Sequence, residues 1–150
     1  MLSDLFYFIG FFLFLGGMGR LFNNNKLVEI TDWLRKFKKV TKKTPTPKEF
    51  RSESEWVLTV TFGTLSLFDS IWILIGFLSS NWLIFLSLSL LTIVQVNSIR
   101  VLNIALSKIA NFIFVFVKVL TFGLLVLNHF HLHLNLNNFI PLYIFNFWNI

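Results

Sequence analysis

The sequence predicts an all-α integral membrane protein with about four transmembrane helices, a basic amphipathic interfacial helix and a short extended C-terminal tail. Hydrophobic residues make up 55% of the 150 residues and charged residues 13%. Soluble domains average about 25% charged residues. So few polar side chains cannot cover a water-facing surface, and we expect lipid to cover part of it. The length predicts a single membrane domain over residues 1–150.

The first predicted span covers residues 5–22. It begins after Asp4 and is short for the about 20 residues that a span needs, but it reaches residue 22 if Arg20 snorkels to the headgroups. No positive charge precedes it, which favours a retained span over a signal peptide. A tilted interfacial or re-entrant helix is the alternative. Gly10 and Gly17 lie on one face, where another helix could approach closely.

Residues 20–55 form the strongly polar stretch of the chain, and we call it the basic island. It holds ten of the 13 Lys and Arg residues. Within it, apolar residues recur at helical spacing from Leu27 to Val40, which predicts an amphipathic helix in the membrane interface or one packed on the spans. The residues expected to contact anionic lipid are Lys26, Trp33, Arg35, Lys36, Lys38 and Lys39. Pro45 and Pro47 mark a linker after this helix.

Three further spans are predicted over residues 56–78, 82–96 and 109–127. Ser52 and Glu55 have capping-box spacing before the second span, and Trp56 and Trp82 stand where interfacial Trp residues are common. Between the third and fourth spans, the polar pair at residues 97–98 is the only candidate break. We expect a helical hairpin there. The alternative is one helix over residues 82–127, roughly 70 Å long.

The C-terminal segment, residues 128–150, is predicted to be an external tail. Polar and apolar residues alternate strictly from Asn128 to Asn137, which indicates an extended strand. Three histidines would then project from one face: His129, His131 and His133. A polar interfacial strand is the preferred interpretation. Zinc or copper binding and a pH-dependent contact are the alternatives, although no Cys is present as a further ligand.

Charge asymmetry predicts the orientation of the spans. Lys and Arg in short loops stay on the cytoplasmic side, so the basic island is expected to be cytoplasmic. Arg100 and Lys108 fall in the next loop on that side. Four spans with both termini outside satisfy this distribution.

Two charged residues are predicted inside the membrane. Asp69 lies about 20 Å into the second span and Lys118 about 15 Å into the fourth. A lone charge at that depth costs at least about 2.5–3.5 kcal/mol, so we expect the two residues to be coupled. The pair is interpreted either as a salt bridge that locks two helices or as part of an ion or proton pathway.

A polar stripe is predicted near these charges, because its members recur at helical spacing. It could line a water-filled path or supply hydrogen bonds between helices. The stripe and its neighbouring amide give the candidate pore-lining residues, in addition to Asp69 and Lys118: Gln95, Asn97, Arg100, Ser107 and Asn111.

Signatures of soluble enzymes are missing from the sequence, which holds no phosphate-binding Gly loop, nucleophile elbow or HExxH motif. No enzymatic activity, cofactor or direct nucleic-acid partner is expected. The preferred prediction is a homo-oligomeric pore or permeability pathway, because four spans can hardly enclose a channel alone. The alternatives are a membrane anchor that recruits a larger enzyme or nucleoprotein effector through its basic loop, and a structural protein of a membrane-containing virus particle.

Overall fold

The computed structural model describes residues 2–79 and 81–133. These residues form five α-helices: α1 (Leu2–Phe22), α2 (Asn24–Thr41), α3 (Glu53–Gly76), α4 (Trp82–Val101) and α5 (Ile104–Leu127). A short 3-10 turn, Pro47–Glu49, precedes α3, and a π-helical turn, Asn128–Leu132, follows α5. The described part of the chain contains no strand. The all-α class is therefore confirmed for these residues.

Three helices are long and apolar enough to cross a membrane: Ser3–Phe22, Glu53–Gly76 and Ile104–Leu132. The described apolar stretch of α4, Trp82–Ser98, is shorter than these three. The helices therefore support a membrane protein with three candidate spans. The fourth span stays a prediction, as does the orientation of the chain.

Two helix starts follow from side-chain caps. Ser52 accepts a hydrogen bond from the Glu55 backbone N–H at 3.3 Å, as its spacing predicts, and Asn103 accepts one from Leu106 N–H at 2.9 Å. Asn23 separates α1 from α2 but does not cap α2. Its side-chain amide donates instead to the Gly19 carbonyl at 2.9 Å, which satisfies an acceptor at the end of α1.

The segment between residues 82 and 127 is a hairpin of α4 and α5, and not one long helix. The break falls at Leu102 and Asn103, whereas residues 97–98 remain helical. Capping by Asn103 explains the position, because its side chain satisfies a first-turn N–H that a new helix leaves free. A 2.7 Å hydrogen bond from Gln95 Nε2 to Asn111 Oδ1 then joins the two arms.

An aromatic cluster packs the end of the bundle remote from α2. Trp72 of α3 stacks on Phe6 with centroids 4.9 Å apart and meets the rings of Phe85 and Phe122 edge-on. Its indole N–H donates to the Phe6 carbonyl at 2.8 Å. The predicted close approach at α1 is present, because Trp72 lies against Gly10 and Val119 lies against Gly17.

The predicted strand at the start of the tail is wrong. Asn128–Leu132 forms a π-helical turn that continues α5, and it ends with His133 N–H donating to the Asn128 carbonyl at 2.8 Å. No Gly or Pro interrupts the chain there, so the backbone keeps its hydrogen bonds by continuing the helix in apolar surroundings. Residues 134–150, which carry the rest of the predicted tail, lie outside the described residues.

Candidate functional site

Asp69 is the centre of a charged cluster inside the bundle. It lies in α3 and only 4% of its surface is exposed. Arg20 Nη1 of α1 bonds to Asp69 Oδ2, and Lys118 Nζ of α5 lies 4.0 Å from the same oxygen. The structure thus brings together the two residues predicted to be coupled and adds a third. One carboxylate with two cations leaves the cluster with a formal charge of +1 if all three are ionised.

The helix α1 does extend to Phe22, but without the snorkelling of Arg20 that was predicted as the condition for it. The Arg20 guanidinium turns into the bundle, where Nη2 also donates to the Phe62 carbonyl at 3.3 Å. A planar guanidinium can serve a carboxylate and a carbonyl together, and an unpaired Asp69 would be costly there. Sequence reasoning missed this contact because it treated Arg20 only as the end of a span. A signal was available in the sequence, because the predicted spans contain one acid, whereas two cations lie within these spans or at their ends.

The predicted polar stripe is divided by the helix break. Ser107, Asn111 and Lys118 share one buried face of α5. Asn97 belongs to α4, where it is exposed, so it does not extend that face. The structure describes the backbone of Arg100 and not its side chain. A continuous stripe from 97 to 118 is therefore wrong, because Leu102 and Asn103 change the direction of the chain between its halves.

An amide network joins α2 to the hairpin. Asn111 accepts from Gln95 and donates through Nδ2 to Asn24 Oδ1 at 2.7 Å. Asn24 Nδ2 in turn donates to the Lys108 carbonyl at 2.9 Å. These bonds occupy the side-chain amides of Gln95 and Asn111 within one chain. Asn24 was not among the candidate residues of the sequence analysis.

A cleft of about 380 Å³ lies between α2 and the other helices and contains the charged cluster. Apolar residues of α2, among them Val28 and Ile30, form one wall. The other walls carry Arg20, Asp69 and Lys118 together with six polar side chains: Thr59, Ser66, Ser70, Thr92, Gln95 and Asn111. Water-sized species could therefore meet charge and hydroxyl groups at a depth where the outer surfaces of the helices are apolar.

The predicted lipid-contact residues divide into two groups. Arg35 and Lys36 bond to Asp32 at 2.6 and 2.7 Å, and Lys26 Nζ lies 3.2 Å from the Ser54 hydroxyl. Trp33 packs its ring against Phe37 and Phe50. Lys38 and Lys39 are exposed. Hydrogen bonds from Lys36 and then Arg35 hold the pKa of Asp32 below its usual value.

The histidines lie at the opposite end of the bundle from α2. His129 stacks on Tyr7 with centroids 4.1 Å apart, and its Nε2 lies 2.9 Å from Asp4 Oδ1. His133 lines a separate cavity of about 340 Å³ that also contacts Tyr7. His131 is exposed. Helical geometry turns neighbouring histidines apart, and no three His, Asp or Glu side chains within residues 2–79 and 81–133 are grouped to hold a metal ion.

The cleft is the arrangement with the clearest chemical capacity in the described part of the chain. Two cations converge on one carboxylate, and hydroxyl and amide groups surround them in a cavity large enough for small solutes. The lining therefore carries one more cationic group than it does carboxylates. No protein-family model, curated protein or solved structure matches this chain.

Proposed function

We propose that the protein provides a permeability pathway for small anions across a membrane, and that the polar cleft is its selective part. The observation that carries the proposal is the cluster of Arg20, Asp69 and Lys118 inside a cavity between apolar helices. A salt bridge that only locked two helices would need one cation. Here a second cation lies 4.0 Å from the same carboxylate oxygen, so an excess positive charge faces the cavity when all three groups are ionised.

Burial supports a functional role for the excess cation. Only 7% of the surface of Lys118 is exposed. An ionisable group at such a position is costly and commonly marks a path for ions or substrates. Rings of cationic side chains are used by anion-selective pores, because they replace part of the hydration of the anion.

Assembly of several copies is part of the proposal. The aromatic cluster around Trp72 fills the described part of the bundle beyond the cleft, so the cleft does not continue between the helices there. Ser66 and Ser70 of α3 are exposed although they line the cleft. A second copy against this side would cover those hydroxyls and extend the cavity. A homo-oligomer satisfies both requirements.

A membrane anchor is the second candidate, and one observation favours it. Lysines at the end of α2 and in the following loop are exposed, and the sequence offers no catalytic motif. Such a surface could recruit a larger acidic partner. Purified mass in detergent separates the two candidates: a defined homo-oligomer supports the pathway, whereas stable co-purification with a larger chain supports the anchor.

Purified protein in planar bilayers tests the pathway directly. We expect chloride to be more permeant than potassium. The Lys118→Gln substitution should lower that ratio by more than about tenfold, because a unit charge about 10 Å from an ion contributes about 1.7 kcal/mol at an effective dielectric constant of about 20, with opposite sign for chloride and potassium. Lys48→Gln removes the same charge from the exposed linker and should leave the ratio unchanged.

Two outcomes would overturn the pathway proposal. If bilayers that contain folded protein conduct no ions over a range of pH and voltage, the protein does not have this activity. If Lys118→Gln and Lys48→Gln have the same ratio of chloride to potassium permeability, and circular dichroism shows both variants to be folded, the ions do not pass through the cleft. Arg20→Gln serves as a second variant, since it also removes a cation from the cleft.

A further inference from the structure

The cations of the basic island differ in whether they have partners inside the protein. Arg20 pairs with Asp69, and Arg35 and Lys36 pair with Asp32. Six exposed cations bond to no carboxylate among the described residues, although Lys43 and Arg51 lie within electrostatic range of Glu49 and Glu29. The six are Lys38, Lys39, Lys42, Lys43, Lys48 and Arg51, and together we call them the basic loop surface.

Aromatic contacts hold the basic loop surface at the start of α3. Phe50 packs between Trp33 of α2 and Trp56 of α3, with ring centroids 5.1 and 5.5 Å away. The intervening loop is further ordered by Thr46 and Glu49, which cap the 3-10 turn reciprocally. The six cations are therefore fixed near the end of a candidate span. If α3 spans the membrane, this end lies at the boundary between lipid and water.

An exposed apolar residue accompanies these cations. Val40 lies between Lys39 and Lys42 near the end of α2, and 82% of its surface is exposed. Interfacial helices combine cations for headgroups with apolar side chains that enter the acyl boundary. In water, exposure of the apolar Val40 side chain would not stabilise the fold. Beside a bilayer, it could be buried without any change in the fold.

We infer that the basic loop surface binds the phosphate groups of anionic lipids, with Val40 inserted among the headgroups. Lipid is favoured over other polyanions because the surface is joined to apolar helices that place it beside the bilayer. Its six cations have no carboxylates bonded to them and complement a negative leaflet. The inference is independent of the permeation pathway.

The residues assigned to lipid therefore differ from the sequence prediction. Lys38 and Lys39 stay in the set, and Lys42, Lys43, Lys48 and Arg51 join it. Arg35 and Lys36 leave it, because both bond to the Asp32 carboxylate, and Lys26 leaves it because its ammonium is held by the Ser54 hydroxyl at the start of α3. Cations bonded to a carboxylate lose most of their attraction to a charged surface, so the lipid contact should depend mainly on the later residues.

The absence of Cys allows a single label on the full-length protein. Thr44→Cys places an environment-sensitive fluorophore on the exposed loop beside Lys43. The labelled protein is placed in nanodiscs of phosphatidylcholine alone or with added phosphatidylglycerol. We expect phosphatidylglycerol to protect the label from an aqueous quencher, and we expect added salt to remove the protection.

Two double variants separate specific contacts from total charge. Lys39→Gln with Lys43→Gln should lower the docking equilibrium constant of the loop about 25-fold, since each Lys near an anionic surface contributes about fivefold. Lys36→Gln with Lys108→Gln removes the same charge from lysines that bond to Asp32 and Glu29. This control should change the constant by less than about twofold, because a bonded carboxylate already offsets the charge of each ammonium.

Three results would overturn the inference. Equal protection in neutral and anionic nanodiscs would show that charge does not hold the loop. Equal losses in the two double variants would assign the effect to overall charge. Protection of the label in neutral nanodiscs by a single-stranded oligonucleotide, at a salt concentration where phosphatidylglycerol is ineffective, would assign the surface to nucleic acid.

Discussion

Asp69 shows how one carboxylate can organise a bundle with few polar residues. Its Oδ2 atom receives Arg20 directly and has Lys118 at 4.0 Å, so three helices meet at one oxygen. Interactions of this kind gain strength where water is scarce, but an unpaired member costs more than the pair contributes. The same cluster can therefore stabilise the fold and set the charge of the cleft.

Double-mutant cycles test which cation Asp69 depends on. We expect the coupling energy of Asp69→Asn with Arg20→Met to be about 1–3 kcal/mol, as for residues in one ionic network. The coupling with Lys118→Met should be smaller, because that ion pair is longer. Unfolding in mixed detergent micelles gives both values. A larger coupling for Lys118, or additive losses in both cycles, would contradict the geometry.

Asp32 provides a pH-dependent contribution outside the spans. Its pKa lies below the usual 3.8 because Lys36 and Arg35 bond to the ionised form. A carboxyl group whose pKa is lowered by folding stabilises the folded state at pH values above its pKa in the unfolded chain. This stabilisation is lost as the pH falls through the pKa of the group in the folded protein. The wild type should therefore be more stable than Asp32→Asn at neutral pH. Chemical unfolding should show that the difference in the free energy of unfolding between the two proteins shrinks below about pH 4. A difference that stays constant with pH would show that ionised Asp32 is not its cause.

The helices pack closely because glycines admit large side chains. Gly76 of α3 faces the Phe85 ring of α4, which an added Cβ would overlap. Gly63 of the same helix has no atom within 4 Å of that position. The two positions form a natural pair, because the backbone substitution is the same and only the surroundings differ.

Alanine at these two positions should shift stability in opposite directions. Gly76→Ala should destabilise by about 1–3 kcal/mol through overpacking, since the aromatic cluster cannot relax freely. Gly63→Ala should stabilise by up to about 1 kcal/mol, because Ala favours a helix interior. Thermal unfolding in detergent measures both. Equal destabilisation by the two substitutions would contradict the assignment of the effect at Gly76 to the Phe85 contact.

At the scale of the whole molecule, the basic island and the described histidines lie at opposite ends of the bundle. The basic island gathers beside the ends of α1 and α4 and the starts of α3 and α5, whereas Asp4, Tyr7 and His129 meet at the other end. If the candidate spans cross a membrane, this asymmetry predicts a cytoplasmic basic end and an external N-terminus.

Cysteine accessibility in sealed vesicles tests that orientation. Thr44→Cys and Ser3→Cys lie at opposite ends of the bundle, and both residues are exposed. We expect a membrane-impermeant reagent to label Thr44→Cys only from the cytoplasmic side and Ser3→Cys only from outside. Labelling of both positions from one side would contradict the topology, and labelling with reversed sides would contradict only the orientation.

Local patterns in the sequence were sufficient for several features of the molecule. Apolar runs predicted the membrane class, and the spacing of Ser52 and Glu55 predicted the start of α3. The period of the residues from Leu27 to Val40 predicted the helix in α2. These features follow from interactions within a few residues, because caps and helix faces depend on neighbours along the chain.

Tertiary structure alone decided the partners of the polar groups. Arg20 and Asp69 are 49 positions apart, and Asn24 reaches Asn111 across 87. No local pattern could select these partners, because the cost of leaving a polar group unpaired acts only once helices have packed. The same cost kept Asn128–Leu132 helical, since the backbone there keeps its hydrogen bonds by extending α5. Sequence thus determined which elements form, and packing determined which charges meet.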